Sequence, residues 1–141
     1  MQEGGASAWQ EEAKRRFPDI RELSDWLEDP YALWIELRAL FVCAYEDGDM
    51  SMVARIYSFA NWCVEQSQIA TDLITPVATC FYEHIPANEK SLKDMPRWFS
   101  LDQVFSLREA FSHLVGSEGF YRIVSLYPEG EIFPGQDGHQ D

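Results

Sequence analysis

Residues 29–48, DPYALWIELRALFVCAYEDG, decide the fold of this chain of 141 residues. Asp29 followed by Pro30 is typical of a helix start, because aspartate caps the first turn and proline fits the first helical position. Gly48 favours a stop at the other end. The residues between are apolar nearly all round the helix, which is typical of a central helix. We therefore expect residues 30–47 to form the hub of the fold.

The segments that follow this hub also have helical patterns. Asp49 begins an amphipathic helix that runs to about Gln68, and the short connection places the two helices side by side and antiparallel. Asp72 or Thr75 begins a third helix, which Pro86 helps to end. The first part of the chain is therefore predicted to be helical.

The later segments continue the helical pattern after one interruption. Residues 86–99 predict a loop with at most one helical turn. Ser100 begins another helix, since Ser100 and Gln103 match the capping box, and Gly116 favours its stop. Residues 117–126 predict a last helix.

One helical domain is expected between two irregular ends. Residues 1–6 predict a mobile N-terminus, residues 7–127 an all-helical domain, and residues 128–141 a tail rich in proline, glycine and acid. No segment alternates apolar and polar residues as a half-buried strand does. The predicted fold class is therefore all-α, a compact irregular bundle of about five to seven helices in a single domain.

The charge of the chain limits its partners. It carries 24 acidic and 11 basic residues, a net charge of −13. Such a charge repels phosphate backbones and anionic membranes, so neither nucleic acid nor a membrane surface is an expected partner. A basic protein partner fits the charge, because complementary charge speeds encounter. The alternative interpretation is that the acidity only keeps the protein soluble.

The cysteines and the apolar runs indicate a cytoplasmic protein. Cys43, Cys63 and Cys80 are an odd number without CxxC spacing, and each lies in an apolar helical pattern, so free buried thiols are expected. The N-terminus lacks the apolar core of a signal peptide. The longest apolar run, around residues 31–45, is too short to span a membrane.

No sequence motif for catalysis or cofactor binding is present. The phosphate-binding patterns GxGxxG and GxxxxGK[ST] and the GxSxG nucleophile pattern are absent. Glu83 and His84 are adjacent and would point about 100° apart on a helix, whereas Glu109 and His113 form only one pair. Cys80 precedes His84 by four residues, but its apolar neighbours predict an inert thiol. We expect no catalytic residue, no metal and no cofactor.

Two segments dense in aromatic and charged residues form the candidate site. Residues 81–86 (FYEHIP) and 95–99 (MPRWF) are rich in Trp, Tyr and Arg, the types enriched at interaction hot spots. The candidate contact or pocket residues are Tyr82, Glu83, His84, Arg97 and Trp98. In the alternative interpretation, the aromatic residues anchor the loop to the core and Arg97 pairs with Glu83 or Asp94.

Several runs resemble those of a bacterial family of small, acidic, all-helical hypothetical proteins that forms a domain of unknown function. These runs are PYALWIELRALF (30–41), ARIYSFANWCVEQ (54–66), VATCFYEHIP (77–86) and MPRWFSLDQVFSLREAF (95–111). The resemblance extends over residues 19–127. It implies a bacterial, cytoplasmic protein and transfers no site and no activity.

Three classes of function follow from these patterns. The first is a non-catalytic protein-interaction module, for example an immunity or antitoxin-like protein that binds a basic partner. The second is a small-molecule-binding protein or an enzyme with a pocket between helices near Glu83, His84 and Arg97. The third is a homo-oligomeric structural subunit, in which the surplus aromatic residues of the hub helix bury against a second copy.

Overall fold

The computed structural model describes residues 8–66 and 73–128 of the chain. Every regular element within those ranges is helical, so the predicted all-α fold is confirmed. The elements in chain order are α1 (Ala8–Arg16), a first 3₁₀ helix (Leu23–Trp26), α2 (Pro30–Asp47), α3 (Met50–Gln66), α4 (Ile74–Cys80), a second 3₁₀ helix (Tyr82–Ala87), α5 (Glu89–Trp98), α6 (Leu101–Ser106), α7 (Arg108–His113) and α8 (Gly116–Val124). The predictions for residues 1–6, for the Asp72 cap and for the tail beyond Pro128 lie outside the described residues.

The chain divides into two compact units, with the boundary between Phe81 and Tyr82. The first unit contains α1 to α4 and the first 3₁₀ helix, and the second contains the second 3₁₀ helix and α5 to α8. The predicted domain of residues 7–127 includes elements of both units.

Helix α2 begins and ends where its sequence predicts. The Asp29 backbone is extended (φ −152°, ψ 165°), and its carboxylate accepts a hydrogen bond from the Ala32 amide at 2.9 Å. Pro30 takes the first helical position, and Gly48 ends the helix with a left-handed φ of 73°, which glycine adopts without strain. Helix α3 starts two residues later and contacts α2.

A stack of aromatic rings fills the core of the first unit. Trp34, on α2, is 1% exposed and lies between the rings of Phe59 and Phe81, at centroid distances of 5.5 and 5.1 Å. Phe41 meets Phe81 edge-on at 4.7 Å, and Phe17 meets Phe59 edge-on at 5.8 Å. Burial of these large rings removes a large apolar area from water and so stabilises this unit.

Helix α5 occupies a segment that the sequence predicts as a loop. Ten of the residues in 86–99 form an α-helix, because the Asn88 side chain caps it by accepting from the Lys90 and Ser91 amides at 3.0 and 3.3 Å. Pro96 lies near the end of α5, where its missing N–H removes a single helical hydrogen bond.

The helix predicted from Ser100 is present but interrupted. Its capping box is complete: the Ser100 hydroxyl accepts from the Gln103 amide at 3.1 Å, and the Ser100 amide donates to Gln103 Oε1 at 2.7 Å. The backbone then turns at Leu107 (φ −105°, ψ 23°), which separates α6 from α7. This break and the presence of α5 raise the number of α-helices in the described ranges to eight.

Candidate functional site

Tyr82, the first of the predicted site residues, belongs to the core of the second unit. It is 4% exposed, and its ring lies edge-on to Phe99 at 5.8 Å and tilted against Phe111 at 5.9 Å. The rings of Phe99 and Phe111 also meet edge-on, at 5.1 Å. Tyr82 therefore packs against other rings, and little of its surface faces solvent.

Glu83 and His84 lie at the edge of this core. The Glu83 side chain is 17% exposed, and its Oε1 is 4.0 Å from Nε2 of His113 on α7. His84 is half-buried within the second 3₁₀ helix. Helix α4 ends at Cys80, and His84 belongs to the second 3₁₀ helix, so the two residues do not share one α-helix as the sequence spacing assumed.

Arg97 and Trp98 converge on one carboxylate of their own helix. The Nε of Arg97 is 3.3 Å from Asp94 Oδ1, and the Trp98 indole donates to Asp94 Oδ2 at 3.0 Å. Of the two carboxylates proposed for Arg97, Asp94 is the observed partner. Contacts of this kind between residues three or four apart stabilise a helix by about 0.2–0.5 kcal/mol per pair.

An open groove lies elsewhere in the second unit. Its volume is about 700 Å³. Its described lining residues are Pro86, Leu92, Val115, Ser117, Glu118, Gly119, Tyr121 and Arg122. The Arg122 guanidinium at its wall pairs with Glu89 at 2.9 Å. The five predicted site residues are not among these lining residues, so the groove is distinct from the predicted corner.

Helix α2 presents a second apolar face to solvent. We name this face the outer stripe; it consists of Tyr31, Ile35, Ala39, Val42 and Cys43. Tyr31 is 44% and Ile35 48% exposed, Ala39 and Cys43 are exposed, and Val42 is half-buried. At roughly 100° per residue these positions fall within a sector of about 120°. Helix α2 therefore has two apolar faces, one buried in the core and one, the outer stripe, exposed to solvent. The expectation that α2 is a central hub is wrong for the outer stripe.

The outer stripe was not among the predicted site residues. Its sequence signal is the apolar spacing of four between Tyr31, Ile35 and Ala39, continued at Cys43. That spacing is indistinguishable from core spacing when the opposite face is apolar too. Only burial separates the two faces.

The three cysteines differ in exposure, and this gives a direct test of the burial pattern. Cys43 is exposed, whereas Cys63 and Cys80 are buried. Burial raises the pKa of the Cys63 thiol to about 12, so almost no thiolate forms there at neutral pH. We expect a maleimide reagent to modify one thiol per native chain, at Cys43, and three in denaturant, as counted by mass spectrometry. Rapid native labelling of Cys63 would contradict this burial.

Comparisons with known proteins found no match, so the function of this chain is inferred from its own residues. No protein-family model matches the sequence, and no curated protein or solved structure is similar to it at a significant level. None of the helices in residues 8–66 and 73–128 has the length and apolar character needed to cross a membrane. The described residues also contain no group of three or more His, Cys, Asp or Glu side chains arranged to hold a metal ion.

Proposed function

We propose that this chain is a non-catalytic protein-interaction module whose partner is a basic protein. The observation that carries the proposal is the position of its acidic charge. Residues 21–49 hold eight acidic and two basic residues, whereas residues 82–128 of the second unit hold six acidic and five basic residues. The acidic excess of the described residues is therefore concentrated around α2 and not around the predicted corner.

Other acids of the first unit already pair with basic side chains. Arg15 and Arg16 both pair with the buried Glu12, Arg16 Nε at 2.6 Å from Glu12 Oε2. Arg55 forms two hydrogen bonds with Asp19, at 2.8 and 3.0 Å, and these hold the pKa of the Asp19 carboxyl below its ordinary value. These basic side chains therefore neutralise acids of α1 and of the turn after it. The net negative charge of the first unit is thus centred on residues 21–49.

Such a field favours fast, salt-sensitive association with a positively charged protein. An immunity or antitoxin-like protein, which neutralises a basic effector, is the concrete version that we propose. The three free thiols fit a reducing compartment, and we propose the cytoplasm as its location.

Affinity purification at two salt concentrations tests this function. We expect the tagged full-length protein to retain a stoichiometric basic protein from its native host at about 0.1 M salt and to lose it at about 1 M, where the Debye length falls from roughly 10 Å to roughly 3 Å. Mass spectrometry identifies the retained protein and its stoichiometry.

A pair of matched variants shows whether the retained protein depends on the acidic region. The double variant Asp25→Asn with Glu28→Gln removes two exposed charges of the first unit. The control double variant Asp102→Asn with Glu109→Gln removes two exposed charges of the second unit. We expect only the first to weaken retention at low salt. A partner that is acidic, or that both variants retain equally, would contradict the proposal.

Small-molecule binding is the second candidate function, and the groove of the second unit is the observation that favours it. Its volume of about 700 Å³ lies within the usual range of ligand pockets, roughly 300–1,000 Å³, and Glu118 and Arg122 provide charged groups at its wall. A protein that purifies without a partner and gains thermal stability with a member of a metabolite library would favour this function instead.

A further inference from the structure

We infer that the outer stripe of α2 is the docking surface of the module, and that its occupant is an amphipathic helix of the partner with basic residues along its flanks. This assignment rests on the proposed function and specifies its binding site. The surface is an exposed apolar helix face with acids at both ends and along one edge, and with the half-buried Arg38 at its other edge.

The shape of the outer stripe suits a helix. From Tyr31 to Cys43 it extends over thirteen residues, twelve steps of 1.5 Å or about 18 Å, which is the length of three to four helical turns. Tyr31, Ile35, Ala39 and Cys43 follow one another at a spacing of four, so they form a ridge that can pack into the groove of a second helix. Tyr31 and Ile35 lie near its N-terminal end and are the largest exposed apolar side chains of α2.

The charges around the outer stripe determine the charge of the occupant. Glu28 and Asp29 precede the helix, and Glu46 and Asp47 form its last turn, so both ends of the stripe are acidic and exposed. Glu36 is exposed along one edge. A helix that buries its apolar face here places its flanking residues beside these carboxylates, and lysine or arginine at those positions gives charge complementarity.

A second copy of this chain is a poorer occupant than a basic helix. If two α2 helices packed through their outer stripes in antiparallel orientation, the Glu28–Asp29 end of each would approach the Glu46–Asp47 end of the other. In parallel orientation, identical acidic ends would meet. Like charges brought together across an interface cost several kcal/mol, on the order of what discriminates wrong partners.

The exposed thiol of Cys43 makes occupancy of the outer stripe measurable in the native protein. The probe is a helical peptide of about 18 residues, with leucine at every fourth position and lysine on both flanks. Two control peptides carry glutamate in place of every lysine, or the same residues scrambled so that the apolar face is lost. At saturation we expect the lysine peptide to slow maleimide labelling of Cys43 about tenfold or more, and the two controls to leave the rate unchanged.

A matched pair of substitutions locates the contact. Ile35→Arg puts a positive charge in the centre of the outer stripe, and Leu114→Arg makes the same change at a residue of equal exposure (49% against 48%) in the second unit. We expect Ile35→Arg to weaken binding of the lysine peptide, and of the co-purified basic partner, about 30-fold, the effect of losing a hot-spot residue. We expect Leu114→Arg to change it less than about twofold.

The outcomes separate failure of the docking surface from failure of the function. If the basic partner is retained but Ile35→Arg and Leu114→Arg bind it equally well, or Cys43 stays fully reactive in the complex, the assignment of the outer stripe is wrong and the proposed function stands. If no basic partner is retained and the lysine peptide binds no better than the glutamate peptide, both are wrong. If Cys43 labelling slows with protein concentration alone, the occupant is a second copy and the assignment is overturned.

Discussion

Replacing Trp34 with alanine is expected to lower the free energy of unfolding by about 3–5 kcal/mol, one of the two largest effects of any substitution proposed for this chain. Trp34 is 1% exposed and lies in ring contact with Phe59 and Phe81. Alanine loses the transfer free energy of the indole and leaves a cavity between two rings that other contacts hold apart. Since domains are stable by about 5–15 kcal/mol, the loss is a large share of the total.

Chemical denaturation followed by far-ultraviolet circular dichroism measures this change. The matched control is Ile35→Ala, the next residue on the same helix, which is 48% exposed and is expected to change stability by at most about 0.5 kcal/mol. A second readout is the buried thiol of Cys63, whose sulfur accepts a hydrogen bond from the Trp34 indole. In Trp34→Ala it should react faster with maleimide, because the protecting structure opens more often. Equal losses for Trp34→Ala and Ile35→Ala would contradict the core position of Trp34.

Local capping chemistry made the helix boundaries of α2 predictable. Asp29 with Pro30 and the left-handed Gly48 act through their nearest neighbours, and a short window of sequence contains all the atoms involved. The capping box of Ser100 and Gln103 was predictable for the same reason. The all-α class followed from a sum of such local signals with helical periodicity.

The elements that differed from prediction involve competing local signals. The segment of α5 contains both a helix cap, Asn88, and a residue that disfavours helix, Pro96; the helix forms because the proline lies near its end, where few hydrogen bonds remain. The turn at Leu107 has no glycine or proline to mark it. Such a break is set by packing of the two short helices and is invisible in the local pattern.

The candidate site was harder to predict than the fold, because burial is not a local property. Tyr82 and Ile35 both lie in apolar patterns, but the first is 4% and the second 48% exposed. The acidic excess of residues 21–49 can be counted in the sequence, but the pairing of Arg16 and Arg55 with the acids of α1 and the turn after it cannot. The outer stripe and these pairings required the folded structure.

Replacing Tyr82 with alanine is expected to destabilise the second unit by about 3 kcal/mol or more, because the change removes a ring that contacts two others. Tyr82 is 4% exposed, and its ring is 5.8 Å from Phe99 and 5.9 Å from Phe111. Hydrogen exchange followed by mass spectrometry measures the effect by region. Amide protection within residues 82–128 should fall by about 100-fold, since each 1.4 kcal/mol is a factor of about ten.

This substitution also decides between the two interpretations of the predicted corner. Arg97→Ala, at a side chain that is 59% exposed, is the matched control and should alter protection by less than about 0.5 kcal/mol. If Tyr82 is a core residue, Tyr82→Ala costs stability, and binding of the basic partner by molecules that remain folded is unchanged. If Tyr82 is a contact residue, protection is retained and binding is lost. The second pattern would return the interaction site to the corner of Tyr82, Arg97 and Trp98 and would overturn the assignment of binding to α2.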